Sequence, residues 1–111
     1  MKIVELSDLP EEGVSHQPEI KKQVLFAKGD LPHLTNFSRA RLAPGQVAKA
    51  HSHADKYEVF FVELGHGVIK IDGAEYPLEP GIYVVAEPGE EHEIINTGAA
   101  GLILLYLGLE P

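Results

Sequence analysis

The 111-residue sequence predicts an all-β domain, a sandwich or barrel built from short strands. Glycines recur from Gly65 to Gly98 at intervals of eight or nine residues, a spacing that marks turns between short strands. The segments between these turns are rich in β-branched and aromatic side chains, which favour strands. No window of helical length keeps a 3.6-residue apolar period between capping signals, so we expect little or no helix.

Nine strands are predicted in chain order, after a polar N-terminal segment. Residues 7–19 are polar and contain Pro10, Gly13 and Pro18, so we interpret residues 1–19 as an arm and residues 20–111 as one β domain. The predicted strands are 22–28, 34–43, 47–53, 58–64, 67–72, 75–79, 82–86, 92–96 and 101–108.

The composition limits the classes of protein to consider. A net charge of −8 argues against nucleic-acid binding, which needs a basic surface. Because the chain has no cysteine, disulfides, thiolate metal sites and cysteine nucleophiles are excluded. The longest apolar run, Leu102 to Leu107, is far shorter than a membrane span, and no leader pattern begins the chain. We therefore expect a cytoplasmic protein without a membrane partner.

Three histidines and one glutamate form the candidate functional cluster. His51 and His53 are two residues apart, so on a strand their side chains point to the same face. Glu58 and His92 each open a predicted strand, and a charged residue that points inward there needs a partner. Three imidazoles with one carboxylate suit Fe, Mn, Co, Ni, Cu or Zn better than Mg or Ca. A six-coordinate ion would keep two positions open for water or substrate.

The spacing of these residues resembles the two sequence motifs of the cupin family. The first motif is similar to the segment Gly45-(five residues)-His51-Ser52-His53-(four residues)-Glu58-(six residues)-Gly65. The second motif is similar to the set Gly81, Pro88, Gly89, His92 and Asn96, with the proline displaced by one position. The flanking strands extend the resemblance to about residues 20–108.

The resemblance implies a small single-domain cupin, a double-stranded β-helix of the jelly-roll type. It implies that one divalent transition metal, such as Fe, Mn, Ni, Cu or Zn, is bound by His51, His53, Glu58 and His92. It also implies a small-molecule ligand. The resemblance implies that Gly45, Gly65, Gly81 and Gly89 are turn residues, which permit tight backbone turns and do not bind the metal.

Three functions are compatible with this resemblance. The first is a metal-dependent dioxygenase or oxidase that acts on a small oxygen-rich molecule, with Glu58 as a ligand or as a catalytic base. The second is an isomerase or epimerase of sugars or sugar phosphates, in which the metal polarises a carbonyl. The third is a binding module without catalysis. The identity of the bound metal discriminates between these functions. Iron, copper or manganese together with oxygen uptake supports the first, whereas zinc or a metal-free pocket favours the other two.

Side chains outside the cluster leave alternatives open. Arg39 and Arg41 share a strand face and either anchor an anionic substrate or balance the acidic surface. Tyr57, Tyr83 and Tyr106 are candidate pocket walls, although tyrosine in a barrel strand more often serves packing.

The last predicted strand leads us to expect a homodimer. Both faces of Leu102 to Leu107 are apolar, and a barrel interior covers only one of them. A second copy related by a two-fold axis is the default cover for the other face. The alternative is a monomer whose own N-terminal segment covers it.

Overall fold

Ten β-strands and one 3-10 helix, Leu6–Asp8, make up the computed structural model, which describes residues 1–111. The all-β prediction is confirmed. The strands are β1 (Glu12–Val14), β2 (Gln17–Ala27), β3 (Leu34–Leu42), β4 (Val47–His51), β5 (Tyr57–Leu64), β6 (Gly67–Ile71), β7 (Ala74–Leu78), β8 (Tyr83–Ala86), β9 (His92–Ile95) and β10 (Leu102–Leu109).

The strands form two antiparallel sheets that face each other across one core. The six-stranded sheet has the order β1-β2-β3-β10-β5-β8, and the four-stranded sheet has the order β4-β9-β6-β7. This is the jelly-roll barrel that the resemblance implies. The core draws side chains from both sheets: Ile20, Leu42, Phe60, Val62, Ile69, Leu78, Ala86, Ile94, Leu102 and Leu104.

Strict alternation in β5 and β10 decides which side chains enter the barrel. Phe60 and Val62 are buried on β5, and Leu102 and Leu104 are buried on β10, because residues two apart share one face of a strand. The residues between them are only half-buried and lie on the outer face of the six-stranded sheet. Glu58 has the same parity as Phe60, so its carboxylate points into the barrel.

The nine predicted strands are all present, and their ends agree within two residues except at the start of β2. That strand begins at Gln17, within the segment predicted as a loop. The same segment contains β1, which pairs with β2 in the register Glu12↔Lys22. The polar composition of this segment did not predict β1, because β1 forms by pairing with β2 and not through local strand propensity.

The N-terminal residues are tied to the outer face of β2. The side-chain amide of Gln23 donates hydrogen bonds to the carbonyl oxygens of Leu6 and Leu9, each at 3.1 Å. The 3-10 helix therefore lies against the six-stranded sheet. No helix in this fold is long and apolar enough to cross a membrane.

Candidate metal centre

The four residues of the predicted cluster come together at one end of the barrel. Their candidate ligand atoms all lie within 4.8 Å of one another. Neighbouring strands bring two of them close, because His51 at the end of β4 pairs with His92 at the start of β9. Glu58 reaches the cluster from β5, in the opposite sheet.

His53 joins the cluster from a loop rather than from a strand. The strand predicted to end at residue 53 ends at His51, so strand parity does not place His53. Instead the His53 carbonyl oxygen accepts a hydrogen bond of 2.7 Å from the backbone N–H of Gly89. This bond fastens the loop after β4 to the turn that precedes His92.

One carboxylate oxygen is the focus of the cluster. Oε1 of Glu58 lies 2.8 Å from Nε2 of His53, 3.0 Å from Nε2 of His92 and 3.9 Å from Nε2 of His51. Glu58 and His92 are buried, with 5% and 2% of their surfaces exposed. Three imidazole nitrogens therefore converge on a single buried oxygen.

Backbone carbonyls fix the orientation of two imidazoles. Nδ1 of His51 lies 2.9 Å from the Lys49 carbonyl oxygen, and Nδ1 of His92 lies 3.3 Å from that of Glu90. A carbonyl oxygen only accepts, so each of these contacts is a hydrogen bond when Nδ1 carries the proton. The Nε2 lone pairs of His51 and His92 are then free to bind a metal, the arrangement typical of metal-ligating histidines.

Burial and neighbouring charges set the ionisation of the cluster. Burial lowers the pKa of His53, an effect that outweighs the attraction of Glu58 for the imidazolium form. Burial alone would raise the pKa of the Glu58 carboxyl, but the positive charge of Lys56 and a hydrogen bond from His92, which forms when Nε2 rather than Nδ1 carries the proton, together lower it. The ionic states are those that metal binding requires, a carboxylate facing a neutral imidazole.

This donor set fits a divalent transition metal. If Nδ1 of His51 and His92 carries the proton, their Nε2 lone pairs face a carboxylate, and a shared cation removes that repulsion. Zinc-type sites place nitrogen and oxygen ligands about 2.0–2.2 Å from the ion, so ligand atoms within 4.8 Å of one another would need only a small adjustment to share one ion. His51, His53, Glu58 and His92 therefore form a possible metal site.

A cavity of about 580 Å³ opens over the cluster. Lys22, Lys49 and Lys56 line it, and Glu58 is its one acidic residue. None of the three lysines has a carboxylate oxygen within ion-pair distance. The cavity is thus more positive than the rest of this acidic protein.

Several candidate residues lie elsewhere. Arg39 and Arg41 face outward, where they pair with Glu63 at 2.8 Å and with Glu11 at 3.4 Å. The structure therefore places them in ion pairs on the outer surface, the second of the two roles considered for them.

Of the three tyrosines, only Tyr106 lines the cavity. Tyr57 and Tyr83 are 45% and 72% exposed. The sequence did not point to Gln17, Lys22 or Asn36, which line the cavity from β2 and β3. No motif marks them, and the register shifts where β2 pairs with β1 and with β3 keep strand parity from being followed along these strands.

Comparisons with known proteins relate the chain to one family. The sequence profile of the family described as "Cupin domain" matches residues 38–108, which contain all four cluster residues. An oxalate-binding protein of Thermotoga maritima is 29% identical over 108 residues, which cover 93% of this chain and 89% of that protein.

Solved structures show the same architecture. The crystal structure of a predicted oxalate decarboxylase from Thermotoga maritima superposes with a TM-score of 0.92 at 27% identity, covering 99% of this chain and 100% of that one. A sugar phosphate isomerase of the cupin superfamily from Silicibacter pomeroyi superposes with a TM-score of 0.84 at 21% identity, covering 99% and 76%. The second similarity concerns the fold alone.

Proposed function

The chain belongs to the cupin family, and from that premise we propose that it binds a small carboxylate-bearing molecule at a metal held by His51, His53, Glu58 and His92. The observation that carries the proposal is the convergence of three imidazole nitrogens on the buried Glu58 oxygen. A buried carboxylate is costly unless it is paired, and a cation shared with the three imidazoles would pair it.

The charge of the cavity supports an anionic ligand. A protein of net charge −8 repels small anions over most of its surface. The cavity differs, because its three unpaired lysines outnumber its one carboxylate and a divalent ion would add two further charges. The oxalate-binding protein and the crystal structure of a predicted oxalate decarboxylase, both from Thermotoga maritima, support the same class of ligand.

Each side chain has a distinct part in this proposal. A bound divalent ion would supply open coordination positions and polarise a carboxylate or carbonyl oxygen of the ligand. The imidazoles hold that ion, while the lysines attract the ligand's negative charge. The pKa of Glu58 is lowered, which makes it a good anionic ligand and a weak proton acceptor, so its ligand role comes before a catalytic one.

Turnover of the bound acid is a second proposal, as a dioxygenase or oxidase with Glu58 as the catalytic base. It is favoured by the absence of any other carboxylate lining the cavity, since Glu58 is then the acidic side chain placed to move a proton. Oxygen uptake by the iron- or manganese-loaded protein in the presence of oxalate tests this proposal. No uptake and no loss of oxalate would leave binding as the function.

Calorimetric titration of oxalate tests the binding proposal. We expect the metal-loaded protein to bind oxalate and the chelator-treated protein to bind it at least ten times more weakly. Lys22→Met should weaken binding to the loaded protein, whereas Lys28→Met is the control because Lys28 pairs with Glu110 outside the cavity. Equal binding with and without metal would contradict the proposal.

A further inference from the structure

We propose that Gln17 is a positioning residue for the metal ligand His51, so that the hairpin of β1 and β2 completes the metal site. The inference rests on the proposed metal-binding function. It assigns to this part of the N-terminal segment a role in site geometry, which no motif of the sequence marks.

The side-chain amide of Gln17 takes the place of a neighbouring strand. β4 is an edge strand that pairs with β9 on one side only. At its other edge, Gln17 Nε2 donates to the Val47 carbonyl oxygen and the Lys49 backbone N–H donates to Gln17 Oε1, each at 2.6 Å. One primary amide thus satisfies a donor and an acceptor, as a peptide group of a paired strand would.

A short series of hydrogen bonds connects this amide to the imidazole. Gln17 Oε1 accepts a hydrogen bond from the backbone N–H of Lys49. The carbonyl oxygen of Lys49 in turn lies 2.9 Å from Nδ1 of His51. Fixing Lys49 therefore fixes the acceptor that orients the ring. That acceptor also selects the tautomer whose Nε2 is free for a metal.

His51 needs such support more than the other histidines do. Its side chain is 49% exposed, compared with 29% for His53 and 2% for His92. Its Nε2 is also the farthest from Glu58 Oε1, at 3.9 Å. Burial helps to hold His92 in place, whereas the more exposed His51 depends on hydrogen bonds through the last residues of an edge strand.

The hairpin itself holds Gln17 firmly. Gly13 on β1 packs so closely on Pro18 that a β-carbon at Gly13 would lie 2.7 Å from the Pro18 α-carbon. A second side chain connects β2 to the residue before β4, because Gln46 Nε2 donates to the Glu19 carbonyl oxygen at 3.1 Å. The amide of Gln17 is therefore presented from a fixed backbone.

Gln23 provides a matched control within the same strand. Its side-chain amide also donates to two backbone carbonyls, those of Leu6 and Leu9, but on the outer face of the sheet. If Gln17 were only a structural tie, Gln17→Ala and Gln23→Ala would affect metal binding alike.

The test compares zinc affinity and the state of the His51 ring among three variants. Gln17→Ala should weaken zinc binding about 10-fold or more, the usual effect of losing a partner that orients a ligand. Gln17→Glu keeps an oxygen for the Lys49 N–H but loses the donor to the Val47 carbonyl oxygen, so it should restore only part of the affinity, while Gln23→Ala should bind zinc as the unchanged protein does. Unchanged zinc affinity in Gln17→Ala, or equal losses in Gln17→Ala and Gln23→Ala, would overturn the proposal.

A measurement without metal separates this proposal from the one it rests on. Nitrogen-15 NMR of the metal-free protein reports the protonated ring nitrogen of His51. We expect mainly Nδ1–H in the unchanged protein and in Gln17→Glu, and a mixture of tautomers in Gln17→Ala. The same tautomer in all three would overturn the role of Gln17, whereas absence of zinc binding in the unchanged protein would overturn the metal site instead.

Discussion

His51, His53, Glu58 and His92 are individually ordinary side chains, and their chemistry comes from convergence. Motif spacing in the sequence pointed to all four, and the structure brings them together. The sequence could not select Lys22 or Gln17, which reach the site through the packing of β2 against β4. Such contacts depend on register and bulges, which composition does not encode.

Replacement of His92 by alanine tests whether this side chain is a metal ligand. We expect metal affinity to fall by an order of magnitude or more, because one of four ligands is lost, while the fold is retained. Titration with zinc against a chromophoric chelator measures the affinity, and circular dichroism checks the fold. His66→Ala is the control, since His66 lies exposed at the turn between β5 and β6. Equal affinity in His92→Ala would show that the ligand set is wrong.

Tyr106 gives a pH-dependent prediction. Burial raises the pKa of its hydroxyl to about 12, so the folded protein keeps a proton that the unfolded chain loses near pH 10. The folded state then binds more protons above pH 10, and its stability falls as the pH rises from 10 towards 12. Urea unfolding at pH 9 and pH 11 should show a smaller loss for Tyr106→Phe than for the unchanged protein. Identical losses would contradict the buried state of this hydroxyl.

The strands of this barrel are the elements that the sequence predicted best, because regularly spaced glycines mark their ends. One strand was missed and another ends earlier than predicted, both for physical reasons. β1 forms only through pairing with β2, and the strand carrying His51 stops before His53 because that loop bonds to Gly89 instead. Local propensity thus located the elements, and tertiary hydrogen bonds set their limits.

The turn between β5 and β6 predicts how much a glycine substitution in a hairpin turn destabilises the fold. Gly65 has a φ of 90°, and a β-carbon there would overlap the Gly101 carbonyl oxygen at the start of β10. Gly73 has a similar φ of 83° but nothing within 4 Å of a β-carbon. Gly73→Ala should therefore cost about 1–2 kcal/mol of unfolding free energy, the penalty of the left-handed conformation alone. Gly65→Ala should cost clearly more in urea unfolding, and equal costs would refute the close approach.

The outer face of the six-stranded sheet is only half-buried in the single chain. Phe61 of β5 and Leu105 of β10 are direct neighbours there, and Phe61 stacks on the exposed ring of Tyr83 at 5.5 Å. The N-terminal segment reaches this sheet at β2, where Gln23 binds it. The outer surfaces of β5, β8 and β10 are left for another partner, and we propose that a second copy of the chain covers them.

Light scattering after size exclusion tests the dimer. We expect twice the chain mass at micromolar concentration, because an apolar sheet face gains free energy when water is excluded from it. Leu105→Lys should give a mass near one chain, and Ala74→Lys, at an exposed position on β7 in the other sheet, should leave the dimer intact. A single-chain mass for the unchanged protein would remove the proposal.

We propose that four side chains hold one metal ion, and the metal content of the purified protein is a direct test. Protein loaded with zinc and passed through a desalting column should retain about one ion per chain by mass spectrometry. Glu58→Gln should retain little, whereas Glu63→Gln, on the same strand but facing outward, should retain as much as the unchanged protein. Metal-free protein after loading, or equal retention in Glu58→Gln, would contradict the account.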